Sequence, residues 1–503
     1  MNAHPGSSPP VVVILAAGEG TRMRSARPKV LHSIAGRTLL QHVIAAAAAV
    51  EPAHVMVVVG HGKDEVIAHL DEVAPWVDTV VQQVRAGTGN AVRVAMDALI
   101  RGGHLTLEGS GPVIVLSGDT PLLTGETVRH LLLTHQTQAA VGTLLSAQLR
   151  DPAGYGRIVR DDAGDISAIV EDKDADLVVR AIDEINAGMY VFEVEQLLAA
   201  LSQLTTDNAQ GEEYLTDVLA SLRERSHRLI AELVTDVDEI LGVNDLVQLA
   251  QAAAIMRDRI NEGWMRAGVA MIDPASVWID VDVDLEPDVV LMPQTHLVGP
   301  TSVASGAQIG PGTTLTSCEV AADAMVRHTV AELAVIGPRA TVGPFTYLRP
   351  GTRLGAGSKA GAYVEMKNAD LGDGAKVPHL SYVGDATIGE NSNIGAATVF
   401  VNYDGVAKHH TVVGRDVRIG SDSMLIAPVE IADGAYTAAG SVITDDVPPG
   451  AMAVGRARQR NITGWVARRR ADTASAVSAH SAEEALKSTS SESGIPASKE
   501  GDQ

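Results

Sequence analysis

Residues 279–309 read IDVDVDLEPDVVLMPQTHLVGPTSVASGAQI, with an aliphatic residue at every sixth position: Ile279, Leu285, Leu291, Leu297, Val303 and Ile309. The series continues at Leu315, resumes at Ile336, Val342, Leu348 and Leu354, and returns at Val413, Ile419, Leu425 and Ile431. A helix repeats its apolar face every ~3.6 residues and a strand every second residue, so a sustained period of six fits neither. It fits short strands stacked as the coils of a parallel β-helix. Gly310, Gly337, Gly343 and Gly420 each follow an aliphatic position, which predicts a tight corner after each strand.

The period slips twice, and the slips carry residues that a structural repeat would not choose. Leu354 to Leu371 spans 17 residues, one short of three six-residue strands, and encloses Glu365 and Lys367. Ile394 to Val413 spans 19 and encloses Asn402, Tyr403 and Lys408. Between the slips lies Pro378-His379-Leu380-Ser381-Tyr382, and Arg349-Pro350-Gly351 precedes both. A His in apolar surroundings is more often structural than reactive, so His379 alone decides nothing.

Upstream the pattern changes. Val11 to Leu15 is a solid β-branched run, as expected of a central parallel strand, and it leads into Ala16-Ala17-Gly18-Glu19-Gly20-Thr21-Arg22-Met23. A Gly-rich turn after a buried strand lets backbone N–H groups approach an anion, with Arg22 and then Lys29 to neutralise it. Taken alone, such a turn is equally an ordinary turn. Further strands at Val55 to Val59 and Val113 to Leu116 alternate with helices, which gives a doubly wound α/β domain. Asp119 falls at a strand's carboxyl end, where such sheets bind ligands and where a carboxylate suits Mg²⁺ bridged to phosphate. An Asp capping the next helix is the commoner role. Residues 246–266 have helical spacing and read as a connecting helix.

Composition bounds the rest. A chain of 503 residues exceeds one ordinary core. Aromatic residues make up only 3%, so the cores must be aliphatic. The formal charge of −23 argues against nucleic acid or an anionic membrane as partner. The single cysteine, Cys318, excludes an intrachain disulfide and a cysteine metal cluster; it reads as a small buried apolar residue. With no signal peptide and no apolar run of membrane-spanning length, a cytoplasmic protein is expected. The divisions expected are a disordered 1–10, an α/β domain over 11–242, a linker helix over 243–272, a β-helix over 273–467 starting near Trp278, and a disordered tail over 468–503.

The motif Leu15-x-Ala-Gly-x-Gly-Thr-Arg22-Met with Pro28-Lys29 resembles the signature of sugar-phosphate nucleotidyltransferases. In order with the later motifs, from about Val11 to Trp465, the chain resembles the bacterial bifunctional enzymes that make UDP-N-acetylglucosamine. These pair a uridylyltransferase with a glucosamine-1-phosphate acetyltransferase. The resemblance implies a left-handed β-helix, a homotrimer, Mg²⁺ as cofactor, and UTP and acetyl-CoA as cosubstrates with glucosamine-1-phosphate and N-acetylglucosamine-1-phosphate.

Residue by residue, the resemblance implies that Leu15, Ala16, Ala17, Gly18, Arg22 and Lys29 hold the nucleotide and its phosphates, and that Gln82, Gly87 and Thr88 read the uracil. Asp119 and Asn244 would carry Mg²⁺, and Gly156, Glu171 and Asn186 the amino sugar. In the second site His379 would be the general base, with Arg349, Lys367, Tyr382 and Asn393 on the sugar phosphate. Ala396, Asn402, Tyr403, Ser421, Ala439 and Arg456 would lie around acetyl-CoA, and Glu365, Lys408 and Trp465 would support them. Asn90, Asp245 and Ala397 depart from the family's usual residues. A one-activity pyrophosphorylase with an oligomerising β-helix, and a non-catalytic assembly protein, are the competing readings. The His379, Asn402-Tyr403 and Lys408 set opposes the first, and retention of Arg22, Lys29, Asp119 and Asn244 opposes the second.

Overall fold

The computed structural model describes residues 8–84, 86–106, 109–207 and 211–492; the disorder expected for residues 1–7 and 493–503 falls outside the described residues. The strand Val11–Ala16 lies between His54–Val59 and Val113–Ser117, parallel to both. Alternate residues of this strand enter two different cores, Val12, Ile14 and Ala16 on one face and Val11 and Val13 on the other. Burial on both faces is why its sequence is an unbroken apolar run. Across the sheet the order is Leu229–Leu233, Gly142–Gln148, Glu184–Phe192, Val113–Ser117, Val11–Ala16, His54–Val59 and Asp78–Val81. Glu184–Phe192 runs antiparallel to its neighbours, so the sheet is mixed.

The expected linker helix spans Leu246–Arg266. The Asp245 carboxylate caps it, accepting from the N–H groups of Val247 and Gln248, which gives this unusual residue a structural role. The helix is fastened to both domains. Arg259 donates to the Leu122 carbonyl and to Asp236, both at 2.7 Å. The buried Asn261 amide donates to the carbonyls of Pro274 (2.8 Å) and Val277 (2.9 Å), and Ile260 and Trp264 pack on the β-helix core.

The β-helix begins at Ala270–Met271, ahead of the expected Trp278, because that strand already pairs with Val290–Leu291. Coil steps are 18 residues from Trp278 to His296, 16 from Glu319 to Val335, and 17 from Lys359 to Lys376. The period-six aliphatics line one continuous core. Their interruption after Leu315 is a shortened coil in which Ala331 takes the core position. Cys318 is fully buried in this core, as expected.

Three readings need correction. The second slip is larger than the aliphatic count suggested: Ile388 pairs with Val413, a step of 25, or seven more than 18. Counting from Ile394 compared two different sides of the coil. The glycine corners hold only in part: Gly310 and Gly343 have left-handed φ of 97° and 98°, while other corners do without glycine. Phe345, Tyr363, Leu380, Ala397 and Asp422 all hold left-handed φ without being glycine. Gly337 is required instead by space, since a Cβ there would lie 2.5 Å from the Leu354 carbonyl of the next coil. In the tail expected to be disordered from 468, Ala474–Glu492 is helical, and the short helix Trp465–Arg469 crosses its expected start. No helix among the described residues is long and apolar enough to cross a membrane.

Candidate active sites

The first cleft opens at the carboxyl ends of the α/β strands. Its volume is about 380 Å³, and Leu15, Ala16, Ala17, Gly18, Lys29, Gln82, Gly87, Thr88 and Asp119 line it. The Lys29 ammonium sits 2.5 Å from Asp119 Oδ2 and 3.3 Å from Asn244 Oδ1, and Arg22 donates to the same Asn244 oxygen at 2.9 Å. The Asp119 carbonyl accepts from the Val243 N–H, which holds Asn244 beside it although 125 residues separate them. A carboxylate and an amide oxygen already grouped around one cation fit a hard divalent ion that keeps most of its coordination for water and phosphate.

Buried Gln82 donates to the Gly87 carbonyl at 3.1 Å. Gly87 has φ +103, and a Cβ there would lie 2.4 Å from the Glu213 carbonyl, so this loop is clamped against residues 212–215. Thr88 Oγ1 accepts from the Leu215 N–H. Asn90, the departure in this loop, contacts the Gln82 amide at 3.0 Å and so stays within the same network.

Gly156, Glu171 and Asn186 also meet. The Asn186 N–H donates to the Gly156 carbonyl, and a Cβ on Gly156 would lie 3.5 Å from Glu171 Oε2. Burial pushes the Glu171 carboxyl up, only partly offset by the Thr216 hydroxyl. Gly188 faces Ser117 Oγ and connects this group to the cleft.

The second cluster lies on the β-helix. Arg349 donates to Glu365 at 2.9 Å, Glu365 pairs in register with Tyr382, and Lys367 pairs with Gly384. Lys408 reaches Lys367 from the long insertion. Its direct contact and its charge hold the Lys367 ammonium below the usual lysine range. Two lysines in contact form a site ready for a phosphate dianion, whose charge would relieve their repulsion.

Asp385, which the sequence reading missed, accepts from Asn368 at 2.8 Å and from Asn402 at 2.5 Å. Burial pushes its carboxyl up, but these two amides, with Lys367 and Lys408, outweigh burial and leave it low. Gly384 was missed as well. A Cβ on it would lie 2.5 Å from the Tyr382 hydroxyl and 2.6 Å from the Asn402 amide, so both side chains close over it. The insertion carrying Asn402, Tyr403 and Lys408 is clipped by Asp404, which bonds His409 at 2.7 Å and caps the turn at Val406 and Ala407.

His379 ends the strand Lys376–His379, one corner from Tyr382. The next residue in each coil links it to a row. The Ala397 N–H donates to the His379 carbonyl, that of Asp422 to Ala396, and that of Gly440 to Ser421. His379, Ala396, Ser421 and Ala439 therefore occupy one position in four successive coils, about 14 Å of prism edge at ~4.8 Å per coil. Arg456 closes its far end, with Cδ 3.7 Å from a Cβ built on Gly440. Ala397 is one of several non-glycine residues along this corner, so its methyl group adds no new kind of strain. Asn393 lies elsewhere, in the column of Lys376 and Arg418, and Trp465 packs under Arg470 in the short tail helix.

Comparison with known proteins agrees with this two-part layout. The MobA-like NTP transferase domain model matches residues 12–226, and the bacterial transferase hexapeptide model, of six repeats, matches residues 410–445. The bifunctional protein GlmU of Streptomyces coelicolor is 56% identical over 472 residues, covering 94% of this chain and 97% of that protein. The bifunctional protein GlmU of Thermobifida fusca is 55% identical over 476 residues, covering 95% and 98%, and that of Corynebacterium efficiens is 51% identical over 491, covering 97% and 99%. With an α/β nucleotidyltransferase domain, a left-handed β-helix of hexapeptide repeats and half its residues shared along nearly the full length of these proteins, the chain belongs to the GlmU family of bifunctional proteins.

Proposed function

We propose that the chain makes UDP-N-acetylglucosamine in two steps at two sites. Acetyl-CoA acetylates glucosamine-1-phosphate on the β-helix, and the product then takes the uridylyl group of UTP in the α/β cleft. The observation that carries this reading is the sorting of the motif residues into two separate clusters, each with the groups its step requires. Full-length relatives that are themselves named bifunctional favour it over a one-activity pyrophosphorylase or an inert assembly protein.

In the acetyl step the sugar amine attacks the thioester carbonyl, the amine's proton goes to His379, and coenzyme A leaves as thiolate, which takes up that proton to become the free thiol. A neutral imidazole can accept it near pH 7. Arg349, Lys367 and Lys408 hold the sugar phosphate, Tyr382, Asn402 and Tyr403 shape the acetyl pocket, and the row through Ala396, Ser421 and Ala439 to Arg456 seats the carrier. Asn393 and Trp465 lie off this cluster, so their contribution needs a neighbouring subunit. In the uridylyl step a sugar-phosphate oxygen attacks the α-phosphorus of UTP in line and pyrophosphate leaves. Arg22 and Lys29 orient and neutralise the phosphates, Gln82, Gly87 and Thr88 select the base, and Gly156, Glu171 and Asn186 hold the amino sugar. Mg²⁺, held by Asp119 and Asn244, would spread the developing negative charge. The working unit is a homotrimer acting in the cytoplasm, where both cosubstrates are available.

Two substitutions test this. His379→Ala is expected to lower acetyl transfer by about 100-fold or more while UTP-dependent pyrophosphate release continues. Asp119→Ala is expected to do the reverse. If wild-type protein given acetyl-CoA and glucosamine-1-phosphate releases no thiol, the two-step reading is wrong.

A further inference from the structure

We infer that His54, Asp78 and His104 form a binding site for a divalent transition-metal ion such as Zn²⁺, at the opposite end of the α/β strands from the nucleotide cleft. Three elements build it. His54 opens the strand His54–Val59, and Asp78 opens its neighbour Asp78–Val81. His104 follows the helix Thr88–Arg101, which packs on the same face of the sheet as Met56 and Val58. The turn fixes His104 firmly: its N–H donates to the Leu99 carbonyl across Gly103, which holds a left-handed φ of 73°. Gly102 leaves room for the ring, since a Cβ there would lie 2.6 Å from His104 Cδ2.

The geometry suits a metal. His104 Nδ1 and His54 Nε2 are 3.1 Å apart and would be the two nitrogen ligands; Asp78 Oδ2 lies 3.9 Å from the other His54 nitrogen, Nδ1, and would turn from it toward the ion. One ligand atom from each residue lies within 4.8 Å of the other two, and no other such trio occurs among the described residues. Two bonds of about 2.05 Å to nitrogens 3.1 Å apart enclose roughly 100°, between the octahedral and tetrahedral angles. The ion would replace the direct contact between the two imidazoles. Two imidazoles and one carboxylate favour Zn²⁺ and its neighbours over Mg²⁺. The ion would join two strand starts to a helix end, about 21 Å along that 14-residue helix from the nucleotide cleft. Its role would be to brace the domain, with no part in the transfer chemistry.

The test uses untagged full-length chain with Mg²⁺ in excess, titrated with Zn²⁺ by calorimetry and with Co²⁺ by its visible absorption. One site per chain is expected, weakened about 100-fold or more in His54→Ala/His104→Ala and about tenfold in Asp78→Asn. Uridylyl transfer should be unchanged in all of them. Should the double variant lose its folded circular dichroism, His54→Gln is titrated in its place and must show the same large loss. Titrations of wild type and variant that superimpose overturn the inference, as does competition by Mg²⁺ at equal concentration. Neither result touches the two-step reading, which uses none of these three residues.

Discussion

Gly384 shows how little room the second site leaves. The Tyr382 hydroxyl and the Asn402 amide lie where its side chain would be, so Gly384→Ala must push both aside. A displacement of about 1 Å can cost on the order of 100-fold in rate. Acetyl transfer should therefore fall by about 10- to 100-fold in steady-state assays, with uridylyl transfer intact. The Lys367–Lys408 contact is also testable. With its folded-state value held low, Lys367 binds its proton less readily than in the unfolded chain. Stability from this group therefore rises as pH climbs through the window below the ordinary lysine value. Lys408→Ala should return Lys367 toward that value and remove the alkaline gain, as read by NMR titration of the lysine carbons.

Little of this was legible in sequence. His379 and Lys367 stood out because a repeat has no use for them. Gly384 and Asp385 look like ordinary turn residues, and their importance comes from a register that joins Lys367 to Gly384 across coils.

At the level of the element, spacing was readable but its cause was not. Of the glycines after aliphatic positions, Gly310 and Gly343 are conformational necessities at left-handed φ, whereas Gly337 is needed because the next coil passes within reach. Gly337→Ala is expected to destabilise the β-helix by about 1–3 kcal/mol. Gly263, inside the linking helix with nothing near its missing Cβ, should behave oppositely. Gly263→Ala should stabilise that helix by up to about 1 kcal/mol, and thermal unfolding of the pair reads both signs. The insertion after Asn402 was underestimated for a related reason. A count along the chain cannot tell which side of a coil an aliphatic residue occupies, and the pairing of Ile388 with Val413 can.

For the whole molecule, the corner that carries the second site also exposes much apolar surface. Phe345, Tyr363 and Leu380 are 56%, 61% and 59% exposed, and the rings of His328, Phe345 and Tyr363 stack in a column. Such a stripe suits burial against other copies in the proposed trimer. Phe345→Asp/Tyr363→Asp should sediment as a monomer, losing acetyl transfer and keeping uridylyl transfer. Trimerisation was not readable from the six-residue period, because the period records only what faces inward.

The linking helix has a kinetic consequence. Within one turn it is bonded to the α/β domain through Arg259 and to the first coil through Asn261, and six coil steps of ~4.8 Å, roughly 29 Å, separate that coil from His379. Over that distance an intermediate finished at the far station is expected to escape into the surrounding solution and be recaptured. Started from glucosamine-1-phosphate, the coupled reaction should therefore show a lag before nucleotide sugar appears. Unlabelled intermediate added to the medium should dilute the label in the final product.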